Sequence, residues 1–188
     1  MTIPNLITFG RLLLVPFCAG LAYATGPAWL LTGAALFAVA AFSDWLDGYL
    51  ARRLDSHSRI GVLMDPVVDK VMVLSVLFVF AERGVFPMWL VLLNMFREFL
   101  VTGMRHAFST EGRVVGANWM GKTKFVLQVG VVELAYVHLA LAARGTPLPG
   151  GRALPFWALA AATAFSYLFL LNFARWHLAE LKGESSTE

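Results

Sequence analysis

The chain has 188 residues, 59% of them hydrophobic and only 14% charged, with a mean hydropathy of +0.69. Soluble domains carry about 25% charged residues, so the charge here is too sparse to cover a water-facing surface; the high hydrophobicity equally excludes a disordered chain. The composition reads as one integral membrane domain, and its formal net charge of +3 favours contact with anionic head groups.

A helix needs about 20 mainly apolar residues to cross the hydrocarbon core. In chain order, the pattern predicts spans at about 5–25, 27–50, 63–82, 86–108, 120–143 and 154–176. The first two come from one charge-free run, Leu12 to Ser43, which is too long for a single crossing and is divided by Thr25-Gly26-Pro27. The middle three carry a few charges each, and the last contains a second charge-free run from Ala153 to Ala174. The first segment does not read as a cleavable leader, because only Arg11 is basic there and no small-residue cleavage site follows. Residues 179–188 are polar and rich in Ser and Glu, and are expected to form a short disordered tail after a domain of residues 1–178. The expected fold class is therefore all-α, a polytopic bundle of six transmembrane helices.

Six spans place both ends on one side, and Lys and Arg are enriched in cytoplasmic loops. Arg52, Arg53 and Arg59 follow the second span. Arg105, Arg113, Lys122 and Lys124 surround the fourth loop, and Arg175 and Lys182 close the chain. The opposite loops hold only Arg83, Arg144 and Arg152, so both termini are expected to be cytoplasmic. The lone Cys18 lies in an apolar span, which excludes an intramolecular disulfide and a thiolate metal site and leaves a packing or lipid-facing role.

The informative residues are four aspartates at or inside helix ends. A carboxylate at membrane depth costs several kcal/mol by most estimates, and such residues are paired, solvated in a cavity or functional. Asp44, Asp47, Gly48 and Ala51 stand at i, i+3, i+4 and i+7, one face of a helix. Asp65 and Asp69 stand at i, i+4 on the next helix, with Gly61 on the same face. Consecutive helices joined by a short loop pack antiparallel, so the four carboxylates are expected to converge at the cytoplasmic surface. Their mutual repulsion calls for cations, and oxygen-only donors suit Mg²⁺ or Mn²⁺. Gly48 and Ala51 leave room for a ligand, and Arg52 offers a planar fork suited to phosphate, which together point to a diphosphate substrate. Snorkelling boundary charge accounts for Arg53, Asp55, His57 and Arg59. It does not account for Asp44, nearly two turns inside the helix end.

The pattern D-x2-D-G-x2-A-R-x8-G-x3-D-x3-D, here Asp44, Asp47, Gly48, Ala51, Arg52, Gly61, Asp65 and Asp69, resembles the signature of the CDP-alcohol phosphatidyltransferases, with no departure. Three further stretches resemble members of that family whose acceptor is glycerol 3-phosphate: the opening Ile3-Pro4-Asn5-Leu6-Ile7-Thr8 with Arg11 and Pro16, Arg97-Glu98 with Arg105, and Gly121-Lys122-Thr123-Lys124. The similarity covers roughly residues 3–130.

The resemblance implies six membrane helices in a bacterial inner membrane, a homodimer, and two divalent cations, Mg²⁺ or Mn²⁺, held by Asp44, Asp47, Asp65 and Asp69. It implies a CDP-diacylglycerol site lined by Gly48, Ala51, Arg52 and Gly61. It implies a reaction in which Asp69 is the general base: the acceptor hydroxyl of sn-glycerol 3-phosphate attacks the phosphorus attached to diacylglycerol, and CMP leaves. An acceptor bearing a phosphate needs cations beside this site. Arg97 and Arg105 are eight residues apart, about two helical turns, and so share a face. Lys122 and Lys124 begin the next helix, where backbone N–H groups also favour anions. Arg105, Lys122 and Lys124 are the expected phosphate ligands; Arg97 lies deeper, with Glu98 or a motif aspartate as its alternative partner.

Rival readings are the same chemistry with another acceptor (a cardiolipin synthase or an inositol-phosphate transferase), a prenyltransferase, and a small cation-coupled transporter. A prenyltransferase needs about nine spans and a different Asp pattern. A transporter has no need of Gly48, Ala51 and Arg52 at fixed places and releases no CMP.

Overall fold

A computed structural model describes the backbone of residues 3–54, 59–110 and 119–184, and side chains over 9–43, 67–108 and 123–175. The described residues form six helices and no strand: α1 (Ile3–Ala22), α2 (Pro27–Leu54), α3 (Arg59–Glu82), α4 (Met88–Thr110), α5 (Trp119–Ala143) and α6 (Ala153–Glu184). The all-α class and the number of helices are those the hydropathy pattern predicts. Two segments, Thr123–Ala143 and Ala153–Arg175, are long and apolar enough to cross a membrane, and Phe9–Ala22 and Pro27–Ser43 are shorter apolar helical stretches.

The boundaries differ from the predicted spans in an instructive way. Hydropathy marks where a helix leaves the apolar medium, whereas hydrogen bonding carries it further. Thus α2 continues to Leu54 through the whole Asp44–Arg52 motif. Similarly, α6 runs to Glu184, into the segment expected to be a disordered tail. Ala179, Glu180, Leu181 and Lys182 are all strong helix formers, which favours that continuation. Residues Asn5 and Thr8 lie in α1 with no break in the helix.

The turns on the side away from the motif are closed by glycine. Gly84 (φ 70°) and Gly145 (φ 76°) take the left-handed conformation that ends α3 and α5. At the first, Val85 N donates to Phe80 O at 2.9 Å and Gly84 N to Ala81 O at 3.0 Å; at the second, Thr146 N donates to Leu141 O and Gly145 N to Ala142 O, both at 3.0 Å. Both are Schellman closures, which satisfy the last carbonyls of the helix. Arg83 does the same for a neighbour: its Nη1 donates to Ala22 O at 2.6 Å and Ala24 O at 2.9 Å, capping α1.

In the bundle, α1 packs on α2 and α3, α2 on α5, α4 on α3 and α6, and α5 on α6. Tyr136 is the keystone of the core. It is fully buried, its hydroxyl donates to Cys18 O at 2.6 Å, and its ring meets Phe80 edge-on with centroids 4.8 Å apart. Gly33 on α2 makes this possible, because a Cβ there would stand 2.7 Å from Tyr136 Cε1 and 3.0 Å from Leu21 Cβ. Cys18 is itself buried in this cluster, the packing role open to it from sequence. Large apolar side chains such as Leu13, Phe17, Trp29, Phe96, Trp157 and Leu168 point outward, as they do where the surrounding solvent is lipid.

Candidate active site

The site begins where α1 crosses α3. Asp69, the fourth motif aspartate, sits on α3 with its side chain 27% exposed. Arg11 reaches it from α1: its guanidinium, 1% exposed, donates through Nη1 to Asp69 Oδ1 at 2.6 Å. A guanidinium is expensive to bury unless its charge is matched, and this carboxylate matches it. The pair fixes the orientation of Asp69 from a helix 58 residues away in sequence.

The neighbouring residue Lys70 adjoins a second group of charges, centred on α4. It lies within electrostatic reach of Asp69, Glu98, Arg97 and Arg105. At the centre of that group is Glu98, 6% exposed. Its Oε1 accepts from Lys124 Nζ at 2.5 Å, from Arg97 Nη1 at 3.0 Å and from Gln128 Nε2 at 3.4 Å. Arg97 is 2% exposed and tied down on its other side: Nε donates to Ser166 O at 3.1 Å, and the guanidinium lies over the Phe169 ring, 5.6 Å from its centroid. Below this, Gln128 Nε2 donates to Asn94 Oδ1 at 2.7 Å and Asn94 Nδ2 to Thr163 Oγ1 at 3.2 Å. A continuous polar ladder therefore joins α4, α5 and α6.

Arg105 stands two turns beyond Arg97 on the same face of α4, within electrostatic reach of Arg97 and Glu98. Its Nε is buried with no hydrogen-bond partner among the described residues. A buried guanidinium N–H without an acceptor costs free energy that an incoming anion would recover. Two cations, Arg97 and Lys124, thus contact one buried glutamate, with Lys70 and Arg105 within electrostatic reach of it.

Of the expected site residues, the structure groups Arg97, Arg105 and Lys124 around Glu98, while Asp69 pairs with Arg11 and joins that group only through its chain neighbour Lys70. The side chains of Asp44, Asp47, Gly48, Ala51, Arg52, Gly61, Asp65 and Lys122 lie outside the described residues; only their backbone is placed, on α2, α3 and α5. Arg97 takes the Glu98 partnership that the sequence left open. Lys122 and Lys124 are the fourth and sixth residues of α5, which starts at Trp119. Lys124 therefore stands beyond the free N–H groups of the first turn, with its ammonium on Glu98.

Three contributors escaped the sequence reading: Lys70, Glu98 as a hub, and the Asn94–Gln128–Thr163 ladder. The signal was present for the last, since Asn94 and Gln128 are amides inside predicted spans, where polar side chains are costly. Lys70 adjoins Asp69 at a span end, where it reads equally well as a snorkelling boundary charge.

Among the described residues no group of three or more His, Cys, Asp or Glu side chains converges. Three of the four motif aspartates fall outside those residues. The donor set is nevertheless carboxylate oxygen throughout, and Asp69 is partly open rather than sealed in the core. In donor chemistry these residues fit a hard divalent cation.

The family model described as CDP-alcohol phosphatidyltransferase matches residues 1–171. Similar curated proteins carry the name CDP-diacylglycerol–glycerol-3-phosphate 3-phosphatidyltransferase. One from Bacillus subtilis (strain 168) is 34% identical over 148 residues, covering 72% of this chain and 77% of the relative. One from Escherichia coli (strain K12) is 36% identical over 142 residues, covering 72% and 75%. One from Mycoplasma genitalium is 37% identical over 148 residues, covering 78% of this chain and 61% of the longer relative. With the eight-position motif intact and the family model spanning nearly the whole chain, this protein belongs to the CDP-alcohol phosphatidyltransferase family and is an enzyme of the phosphatidyltransferase type.

Proposed function

We propose that the protein transfers the phosphatidyl group of CDP-diacylglycerol to sn-glycerol 3-phosphate, giving phosphatidylglycerophosphate and CMP in phospholipid synthesis. The observation that carries this reading is the juxtaposition of Asp69 with a cation-rich cluster. Asp69 is held by Arg11, and its chain neighbour Lys70 lies within electrostatic reach of Glu98, which Lys124 contacts and Arg105 faces at longer range. A phosphate-bearing acceptor needs an anion site within one molecule's length of the group that takes its hydroxyl proton, and a cation cluster linked to Asp69 through Lys70 supports that reading. The names of the curated relatives point to the same acceptor.

In this reading Arg105, Lys122 and Lys124 hold the acceptor phosphate, with Arg97 bracing them from beneath. The acceptor hydroxyl is thereby placed against Asp69, which takes its proton as the oxygen bonds to the phosphorus attached to diacylglycerol. The bond from that phosphorus to the CMP oxygen breaks, and CMP leaves into water. Gly48, Ala51, Arg52 and Gly61 line the cytidine diphosphate, with the small residues admitting it close to the backbone. Asp44, Asp47, Asp65 and Asp69 would hold two divalent cations, Mg²⁺ or Mn²⁺, which when bound neutralise charge on the diphosphate and its leaving oxygen. A carboxylate so placed is a weak base, so Asp69 contributes by positioning the hydroxyl as much as by accepting its proton.

The site belongs at the cytoplasmic rim of a six-span bundle in the bacterial inner membrane, with both termini cytoplasmic. There the acyl chains of substrate and product stay in the bilayer while the acceptor and CMP remain in water. Small-residue helix faces support a homodimer. The reading is tested with purified protein offered glycerol 3-phosphate, phosphatidylglycerol and inositol 3-phosphate in turn. Phosphatidylglycerophosphate as the sole lipid product is expected; a preference for either other acceptor would overturn the assignment.

A further inference from the structure

We propose that Glu98 is a positioning residue for the acceptor: its carboxylate aims the Lys124 ammonium at the acceptor phosphate. The inference rests on the acceptor site proposed above and adds a residue that does not touch substrate.

A negative charge at the heart of a site for an anion is at first sight a defect, since it weakens the field felt by the ligand. Its environment shows what it does instead. Glu98 is anchored from three sides, by Lys124 at 2.5 Å, Arg97 at 3.0 Å and Gln128 at 3.4 Å. Arg97 cannot yield, because Ser166 O and the Phe169 ring hold it. Gln128 is fixed in turn by Asn94, and Asn94 by Thr163. The carboxylate is therefore a rigid fixture of the α4–α5–α6 interface.

Lysine is the opposite: a compact charge on a flexible four-carbon stem with three rotatable donors. One of its N–H groups is committed to Glu98, which sets the direction of the remaining two. Glu98 also offsets part of the charge of Lys124 and Arg97 before the acceptor arrives, which lowers the cost of burying them. Arg105 Nε and Arg97 Nη2 are buried with no hydrogen-bond partner among the described residues, and both remain open to an incoming anion.

The opposite role, a competitor that must be displaced by phosphate, makes the opposite prediction, which gives the test its edge. Steady-state kinetics are measured on the full chain in detergent–lipid micelles with Glu98→Gln, Glu98→Asp, Lys124→Met and the Glu98→Gln/Lys124→Met double variant. For Glu98→Gln we expect KM for glycerol 3-phosphate to rise about tenfold, equivalent to about 1.4 kcal/mol. KM for CDP-diacylglycerol should stay unchanged, which also reports that the variant is folded. Glu98→Asp keeps the charge one methylene short and should recover part of the loss; it carries the test alone should the Gln variant fail to fold. In the Lys124→Met background, Glu98→Gln should cost nothing further, because its effect passes through Lys124.

A fall in KM for glycerol 3-phosphate on Glu98→Gln would overturn the proposal in favour of competition. An undiminished effect in the Lys124→Met background would overturn it in favour of a purely structural role. Should Lys124→Met and Arg105→Ala both leave that KM unchanged, the acceptor site itself would be refuted. Should they raise it while Glu98→Gln does not, only the role of Glu98 would fall.

Discussion

Arg11, buried in the first helix, donates to Asp69 of the third at 2.6 Å, and so couples the start of the chain to the last aspartate of its signature motif. The motif alone places Asp69 on a helix; this ion pair sets its rotamer. Arg11→Met is expected to lower kcat by about 10²-fold, within the range associated with a misplaced acid–base group. Asp69→Asn should lower it at least as far, and Arg11→Lys should retain an intermediate rate because one donor still reaches the carboxylate. CMP release at saturating substrates measures all three.

Arg105 presents a buried N–H that finds no acceptor among the described residues. Arg105→Ala should raise KM for glycerol 3-phosphate by about tenfold or more, the loss of one charge-assisted contact, and leave KM for CDP-diacylglycerol unchanged. Initial rates with each substrate varied in turn decide this; a rise confined to CDP-diacylglycerol would remove Arg105 from the acceptor site.

Gly33 gives Tyr136 its place between α1 and α2, where an added methyl would stand 2.7 Å from the ring. Gly33→Ala should destabilise the bundle by about 1–3 kcal/mol through overpacking. Tyr136→Phe, which removes the 2.6 Å hydroxyl bond to Cys18 O, should cost about 1 kcal/mol. Thermal unfolding in detergent, followed by circular dichroism, reads both.

These two kinds of residue differ in how far the sequence revealed them. The six helices were legible because apolar stretches alternate with turn and charge signals along the chain, and the motif was legible because its spacing follows the helical period. Asp69 was therefore found at once. Arg11 was visible only as part of an opening resemblance, since nothing in spacing links positions 11 and 69. Arg105 and Lys124 emerged from charge at the span ends. Glu98 did not emerge as their hub, because one carboxylate beside one arginine at i, i+1 reads as a local pair until α5 is packed against it. The glycine–tyrosine contact of Gly33 and Tyr136 joins residues about a hundred positions apart and has no local signature at all. Helix ends were the other shortfall: the apolar pattern stops at the membrane boundary, while α2 and α6 continue through polar residues that hydrogen-bond as helix.

Orientation has its own test. The turn after α5 lies on the side of the bundle where Arg83 caps α1, away from the motif. With Cys18 replaced by Ser, Leu148→Cys should react with a membrane-impermeant maleimide added to intact cells. Reaction only after the membrane is opened would invert the proposed topology.

The account stands most directly on CMP release from CDP-diacylglycerol by the purified protein. Release is expected to require glycerol 3-phosphate, to stop when a chelator removes divalent cations, and to return on adding Mg²⁺ or Mn²⁺. Release that ignores glycerol 3-phosphate, or that proceeds undiminished in excess chelator, would contradict it.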